Sequence, residues 1–219
     1  MLIAIENLLS GAQAALLSNA AAALTFSDGK ATAGRFAKEV KANDQAVASP
    51  DLTAIFAIVE QALAGNPVFR AAARPKAITP LILSRYRTGQ TYGMHVDDAL
   101  MKGLRTDLSF TLFLADPESY DGGALIVEDT FEQRSIKLRA GDMILYPSTT
   151  LHSVEPVTRG QRLAVVGWVQ SLIRTAEQRE MLFDLDQAVE TVFAEQGKSA
   201  LFDKLAKSRS NLLRMWLDA

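Results

Sequence analysis

The sequence predicts an α+β fold in which a mainly antiparallel β core, a sandwich or barrel such as a jelly roll, is flanked by N-terminal and C-terminal helices. Three observations predict it. Apolar positions recur at helical spacing near both ends, and about six short apolar runs broken by turn residues fill positions 77–171. No gap between those runs holds the crossover helix that a parallel pair needs. The chain has 219 residues, 48% of them hydrophobic and 22% charged, enough to bury one core without staples, and it reads as a single domain, 1–219. Within it, 1–76 are expected to give helical support and a lid, 77–171 the β core, and 172–219 the terminal helices.

The first helix is expected from Ser10 to about Ala23, with Ser10 as cap and Ala14, Leu17 and Ala21 at helical spacing. The turn-rich stretch 27–34 and the aperiodic 38–45 read as strand fragments and a loop. A second helix starts at Ser49-Pro50-Asp51 and ends at Gly65-Asn66-Pro67, with Leu52, Ile55, Phe56, Val59 and Leu63 as its buried stripe. The strands follow. Leu108, Phe110, Leu112 and Leu114 alternate with Ser109, Thr111 and Phe113; Ala124 to Val127 follows Asp121-Gly-Gly123; Ile136 and Leu138 precede Gly141-Asp142; Met143 to Tyr146 precedes Pro147; Leu163 to Val169 follows Arg159-Gly160. In the tail, Thr175-Ala-Glu-Gln178 fits a capping box before the apolar positions Met181, Leu182, Leu185, Ala188, Val189 and Val192, and Gly197 can end that helix. Ser199 to Leu217 reads as a further amphipathic helix that packs on its own barrel or forms a homodimer interface.

Composition removes several chemistries. With no cysteine there is no disulfide, thiolate zinc site, iron–sulfur cluster or cysteine nucleophile, and a cytoplasmic setting is expected. A net charge of −2, from 23 Lys and Arg against 25 Asp and Glu, offers no general field for a polyanion, so nucleic acid is not a favoured partner. Neither export nor membrane insertion is expected, because no apolar run approaches the roughly 18 to 20 residues of a span. His95 and His152 are the two histidines, so all imidazole chemistry falls to them.

In Tyr92-Gly-Met-His95-Val-Asp97, the histidine and the aspartate are two apart and share a face of an extended chain. His152, after the strand ending at Tyr146-Pro147, can supply a third ligand. Two imidazoles and one carboxylate favour Fe(II) and leave coordination positions open, as oxygen chemistry requires. Arg162, ten residues beyond His152, can hold a dicarboxylate through paired charge-assisted hydrogen bonds.

These residues carry a resemblance. The chain resembles the Fe(II)/2-oxoglutarate-dependent dioxygenases, and within them the bacterial PKHD-type hydroxylases related to prolyl 4-hydroxylases. The resemblance rests on Arg85-Tyr86 with Tyr92-Gly-Met-His-Val-Asp97, Arg105-Thr-Asp-Leu-Ser109 with Thr111-Leu-Phe-Leu114, Tyr120-Asp-Gly-Gly123, Ala140-Gly-Asp142, Leu145-Tyr-Pro-Ser148, Leu151-His152, Pro156-Val-Thr-Arg-Gly160 and Trp168-Val-Gln-Ser171. It extends to Asp28-Gly-Lys with Thr32-Ala-Gly34 and to Leu182-Phe-Asp-Leu-Asp186, and so spans nearly the whole chain. It implies a double-stranded β-helix in which His95, Asp97 and His152 bind Fe(II) and Arg162 binds the far carboxylate of 2-oxoglutarate, with Tyr86 lining that pocket. It also implies hydroxylation of a protein side chain or small molecule, with 2-oxoglutarate and O2 converted to succinate and CO2 and ascorbate as a reductant.

Other readings of the same residues stand beside this one. A noncatalytic sensor barrel would use the same four residues, and a zinc hydrolase would leave Arg162 without a purpose. Asp98, adjacent to Asp97, turns to the opposite face and reads as a solvated or ion-paired charge. Tyr86 and Tyr92 fit strand packing as well as pocket lining, Trp168 reads as core, and Gly122 and Gly123 as a tight hairpin. Arg85, Arg87, Lys102 and Arg105 around the mouth are solvated charges or favour an acidic substrate. Substrate choice is expected to lie in loops such as 27–47 and 98–105.

Overall fold

The computed structural model describes residues 1–128 and 132–217. In chain order the N-terminal part runs β1 (Ile3–Ile5), α1 (Gly11–Ala22), β2 (Phe26–Asp28), 3-10 turns at Gly29–Thr32 and Ala37–Glu39, β3 (Lys41–Ala42), β4 (Asp44–Ala46), α2 (Pro50–Gly65) and α3 (Pro67–Ala73). The core continues with β5 (Pro75–Ile78), β6 (Ile82–Arg87), β7 (Thr91–His95), β8 (Leu100–Met101), β9 (Leu104–Arg105), β10 (Leu108–Phe113) and β11 (Asp121–Gly122). It closes with β12 (Leu125–Glu128), β13 (Gln133–Ile136), β14 (Met143–Pro147), β15 (His152–Val154), β16 (Val157–Arg159) and β17 (Gln161–Ser171), followed by α4 (Ala176–Gln196) and α5 (Ala200–Trp216).

Local chemistry explains the helix starts. Ser10 and Gln13 form a capping box on α1, and Ser49 accepts from the Leu52 amide at 3.1 Å beneath Pro50. The stop signal expected at Gly65-Asn66-Pro67 does end α2, but it also begins α3: Asn66 Oδ1 accepts from the Phe69 amide at 2.8 Å and Pro67 takes the first helical position. The same residues that close one helix therefore cap the next, which the sequence reading missed. Residues 1–76 also hold more than helical support. β1, β2 and β4 join the large sheet, and β5 begins at Pro75, ahead of the expected boundary at 77.

Among the described residues, an eight-stranded sheet has the order β1-β14-β10-β17-β6-β4-β2, with β5 on β17, and faces a five-stranded sheet ordered β13-β12-β15-β7-β3. Every ladder within the two sheets is antiparallel, and the connections between non-sequential neighbours make the double-stranded β-helix. Strand alternation gives the large sheet two different buried faces. Leu108, Phe110 and Leu112 of β10, with Leu163, Val165 and Val169 of β17, pack under α1, α2 and α3. The alternate residues of the same strands point into the sandwich, where Phe113, Ile144, Tyr146 and Tyr86 meet Leu125, Val127 and Val154 of the small sheet. Ser109 and Thr111 are buried on that inner face, so β10 has no solvent side despite its alternating sequence. Polar groups buried there need partners, and the partners are the site.

The tail packs on its own body. Arg74, at the left-handed end of α3, pairs with Asp186 of α4 at 2.5 Å, and Arg209 of α5 binds the other carboxylate oxygen. In α4, Thr175 accepts from the Gln178 amide at 3.4 Å, but the buried face is rotated from expectation. Leu182, Val189 and Arg179 are buried while Met181 is 59% exposed and Ala188 faces solvent. Arg179 takes a core position because its guanidinium donates to the carbonyls of Ile173 and Arg174, both at 2.9 Å. No single helix among the described residues is long and apolar enough to cross a membrane.

Candidate metal centre

β7 and β15 are neighbours in the small sheet, and their register sets His95 directly opposite His152. The ring centroids are 4.2 Å apart. Asp97, just past the end of β7 on the same face, brings Oδ2 to 3.7 Å from His152 Nε2. One ligand atom from each of the three residues lies within 4.8 Å of the others, so the spacing read from the sequence does converge in space.

Each imidazole is held in one tautomer. His95 Nδ1 lies 2.8 Å from the Gly93 carbonyl and His152 Nδ1 lies 2.9 Å from the Thr150 carbonyl. A carbonyl oxygen can only accept, so each Nδ1 carries the proton and each Nε2 presents a lone pair. Burial, reinforced by His152 beside it, pushes the His95 pKa down to about 4. The ring is therefore neutral and ready to ligate at pH 7. Asp97 is oriented in turn: Ser109 donates to Asp97 Oδ2 at 2.5 Å and shares a 2.8 Å bond with Ser148. Two neutral nitrogens and one carboxylate suit a divalent cation and leave it open coordination positions, so the donor set fits Fe(II).

The cosubstrate candidates come from the large sheet. Arg162, on β17, is 1% exposed and pairs in register with Tyr86 of β6. Its guanidinium sits 5.3 Å from the Tyr86 ring centre and 5.2 Å from that of Phe113. Its Nε has no hydrogen-bond partner among the described residues, and the Tyr120 hydroxyl lies close to the guanidinium. A buried guanidinium among aromatic rings, with no ion pair among the described residues, has the chemistry to hold an anion. The Tyr86 hydroxyl is engaged by Ser84 and Asn43, and burial raises its pKa. Arg162, Tyr86, His95, Asp97 and His152 all line one cavity.

Several sequence expectations change here. Trp168 is not core; it is half-buried on the cavity wall, and its Nε1 is buried without a partner. Even-numbered residues of β17 face inward, so the register that places Arg162 also places Trp168. Arg85 and Arg87 are spent on Asp44, and Arg105 on Asp107, so these three are structural charges rather than a basic mouth. Ser109, Ser148, Asn43 and Lys41 were not singled out by sequence. The signal available for Ser109 was a hydroxyl alternating with apolar residues in a strand rich enough to be buried on both faces.

Comparison with known proteins agrees with this geometry. The 2OG-Fe(II) oxygenase superfamily matches residues 81–170, and the PKHD-type hydroxylase C-terminal domain matches residues 177–218. A PKHD-type hydroxylase of Maricaulis maris (strain MCS10) is 50% identical over 193 residues, covering 88% of each chain. One of Picosynechococcus sp. (strain ATCC 27264 / PCC 7002 / PR-6) is 53% identical over 192 residues, covering 87% of this chain and 88% of its own. Among solved structures, HygX from Streptomyces hygroscopicus with nickel and 2-oxoglutarate bound aligns with a TM-score of 0.57 at 13% identity, over 78% of this chain and 82% of that one. A Pseudomonas putida prolyl-4-hydroxylase aligns at 0.53 and 17% identity, over 78% and 92%. These two likenesses establish the double-stranded β-helix fold, and the sequence relatives establish the family. The chain belongs to the PKHD-type hydroxylases and is an Fe(II)- and 2-oxoglutarate-dependent oxygenase.

Proposed function

We propose that His95, Asp97 and His152 hold the iron and that Arg162, with Tyr86 beside it, binds the far carboxylate of 2-oxoglutarate. The observation that carries this reading is the convergence of three ligand atoms within 4.8 Å, with both Nδ1 protons committed to backbone carbonyls. When bound, the iron supplies the oxygen-activating chemistry by which 2-oxoglutarate and O2 become succinate and CO2 and a substrate is hydroxylated. The chain's own residues position and shield. Ser109 fixes Asp97, the sandwich excludes bulk water, and Arg162 offers the buried positive charge that sets the cosubstrate's orientation. Both histidines are committed to ligation, so neither serves as a general acid or base.

The primary substrate is a protein side chain or small molecule, and the proposed setting is the cytoplasm, consistent with a chain that has no cysteine. Ascorbate is proposed as reductant. The tail helices pack on the body that carries the site, which favours their role as intramolecular support over a homodimer contact. The test is succinate formation from 2-oxoglutarate with Fe(II) titrated in. His95→Ala, Asp97→Ala and His152→Ala are each expected to lower it by at least about 100-fold and to abolish metal binding by calorimetry. Turnover surviving all three changes overturns the ligand set.

A further inference from the structure

Lys41 is a cation of a different kind from its neighbours. Arg85 and Arg87 share Asp44, and Arg105 has Asp107. Lys41 is only 6% exposed, and its ammonium donates to Thr32 Oγ1 at 3.0 Å. Asp97 and Asp28 act on it through space, and neither forms an ion pair with it among the described residues. An ammonium has three donors, and leaving a buried charge uncompensated is costly unless a ligand completes it. Burial lowers its pKa to about 8, which still leaves it a cation at pH 7.

The position is built into the small sheet. Lys41 on β3 pairs in register with Tyr92 on β7, and the ammonium lies 4.9 Å from the centre of the Tyr92 ring. The same ring stacks on His95 at 3.6 Å between centroids. β3 reaches this close because residue 93 is glycine. Its amide donates to the Val40 carbonyl at 2.8 Å, and a Cβ there would stand 2.7 Å from Val40 Cβ. Lys41, Tyr92 and His95 line the cavity that also holds Arg162, which enters from the facing sheet.

Two buried cations thus serve one cavity. A 2-oxoglutarate whose keto-acid end faces the metal ligands has one carboxylate left, and Arg162 complements it. Lys41 remains for a second anion. We propose that Lys41 is a specificity-determining residue for the primary substrate, which presents a carboxylate to the ammonium beside Tyr92. This rests on the reading of Arg162 as the cosubstrate's anchor.

The test is anaerobic calorimetry on the protein loaded with Fe(II) and 2-oxoglutarate. The probes are free amino acids and N-acetylated tripeptides, each as the acid and as the carboxamide, so that the two arms separate a small acid from a peptide C-terminus. At least one acid is expected to bind saturably, with its carboxamide weaker by about tenfold or more. Lys41→Met is expected to close that gap, and Lys41→Arg to keep it. Lys41→Gln serves where Lys41→Met fails to fold. Lys41→Met should shift 2-oxoglutarate affinity far less than Arg162→Met does. Binding by no acid, or a gap that persists without Lys41, overturns the proposal. A loss of 2-oxoglutarate affinity in Lys41→Met equal to that in Arg162→Met also overturns it, by making Lys41 a cosubstrate anchor. An Arg162→Met protein with unchanged 2-oxoglutarate affinity refutes the cosubstrate reading instead, and is recognised separately.

Discussion

His95 and His152 are cross-strand partners in register, tilted at 51° with centroids 4.2 Å apart, and each donates its Nδ1 proton to a carbonyl two residues earlier in the chain. The buried His95 ring of that pair is a poor place to add a proton. A proton on His95 meets the His152 ring and a desolvated surrounding, whereas the Nε2 atoms of the two rings and the Asp97 carboxylate would together suit a divalent cation.

That relationship makes the stability of the metal-free protein depend on pH. The folded-state pKa of His95 is about 4, below the ordinary value near 6.5, so between these values the unfolded chain binds more protons than the folded one. The contribution is fully present above about 6.5 and is lost as pH falls toward 4. Urea unfolding of the metal-free protein at pH 7, 5.5 and 4.5 should show stability decreasing stepwise, with a shallower decrease in His95→Asn. Equal slopes for the two proteins would falsify this assignment.

The Ser109 hydroxyl sets the direction of Asp97. Its 2.5 Å bond to Oδ2, shared with Ser148, removes the carboxylate's freedom to turn away from the histidines. Ser109→Ala is expected to weaken metal affinity by about 10- to 100-fold while leaving the protein folded, as losses of groups supporting a ligand typically do. Calorimetric titration with metal checks the first part and thermal denaturation the second. Affinity unchanged in Ser109→Ala would show that Asp97 is held by other means.

Arg162 carries a charge with no carboxylate paired to it among the described residues. Replacing a buried, uncompensated cation by an apolar group of similar length costs little and can stabilise. Arg162→Met is therefore expected to melt at or above the wild-type temperature without ligand. The rise in melting temperature that saturating 2-oxoglutarate gives the wild-type protein should disappear, because the stabilisation by a ligand follows its affinity. Scanning both proteins with and without 2-oxoglutarate decides it. A substantial fall in the apo melting temperature contradicts the reading of the charge as uncompensated.

The sequence carried the ligands more plainly than their surroundings. His95 and Asp97 share a face through strand periodicity alone, and Arg162 follows His152 at a spacing that the β15-to-β17 connection preserves. What periodicity does not report is which face of a strand meets which sheet. In β10, Ser109 and Thr111 alternate with apolar residues in the sequence, yet both are buried against the site. Trp168 reads as core because tryptophan is apolar, yet its inward register follows from Arg162. Lys41 lies in a segment with no period at all, and its position depends on long-range pairing with Tyr92, which no local pattern encodes. α3 was hidden because Asn66-Pro67 is a stop signal and a start signal at once.

Asp186 of α4 joins its helix to two others: to α3 through Arg74, and to α5 through Arg209. The Arg74 side chain is 10% exposed and that of Asp186 is 14% exposed, whereas Arg209 is 35% exposed. Arg74 also donates to the Leu182 carbonyl at 3.3 Å, so it is fixed to α4 at two points, and burial, with the Arg209 charge beside it, lowers its pKa. Removing the carboxylate leaves a largely buried guanidinium uncompensated. Asp186→Asn is expected to cost about 2 to 4 kcal/mol by chemical denaturation, toward the lower end of what breaking a buried pair costs because the site is partly open to water. Arg209→Met, which removes the more exposed partner and keeps the Arg74 pair, should cost under about 1 kcal/mol. Succinate formation per folded molecule should be unchanged in both, since the clamp touches neither the metal ligands nor Arg162. If Arg209→Met proves as costly as Asp186→Asn, the anchoring of the tail depends on α5 rather than on the buried Arg74 contact.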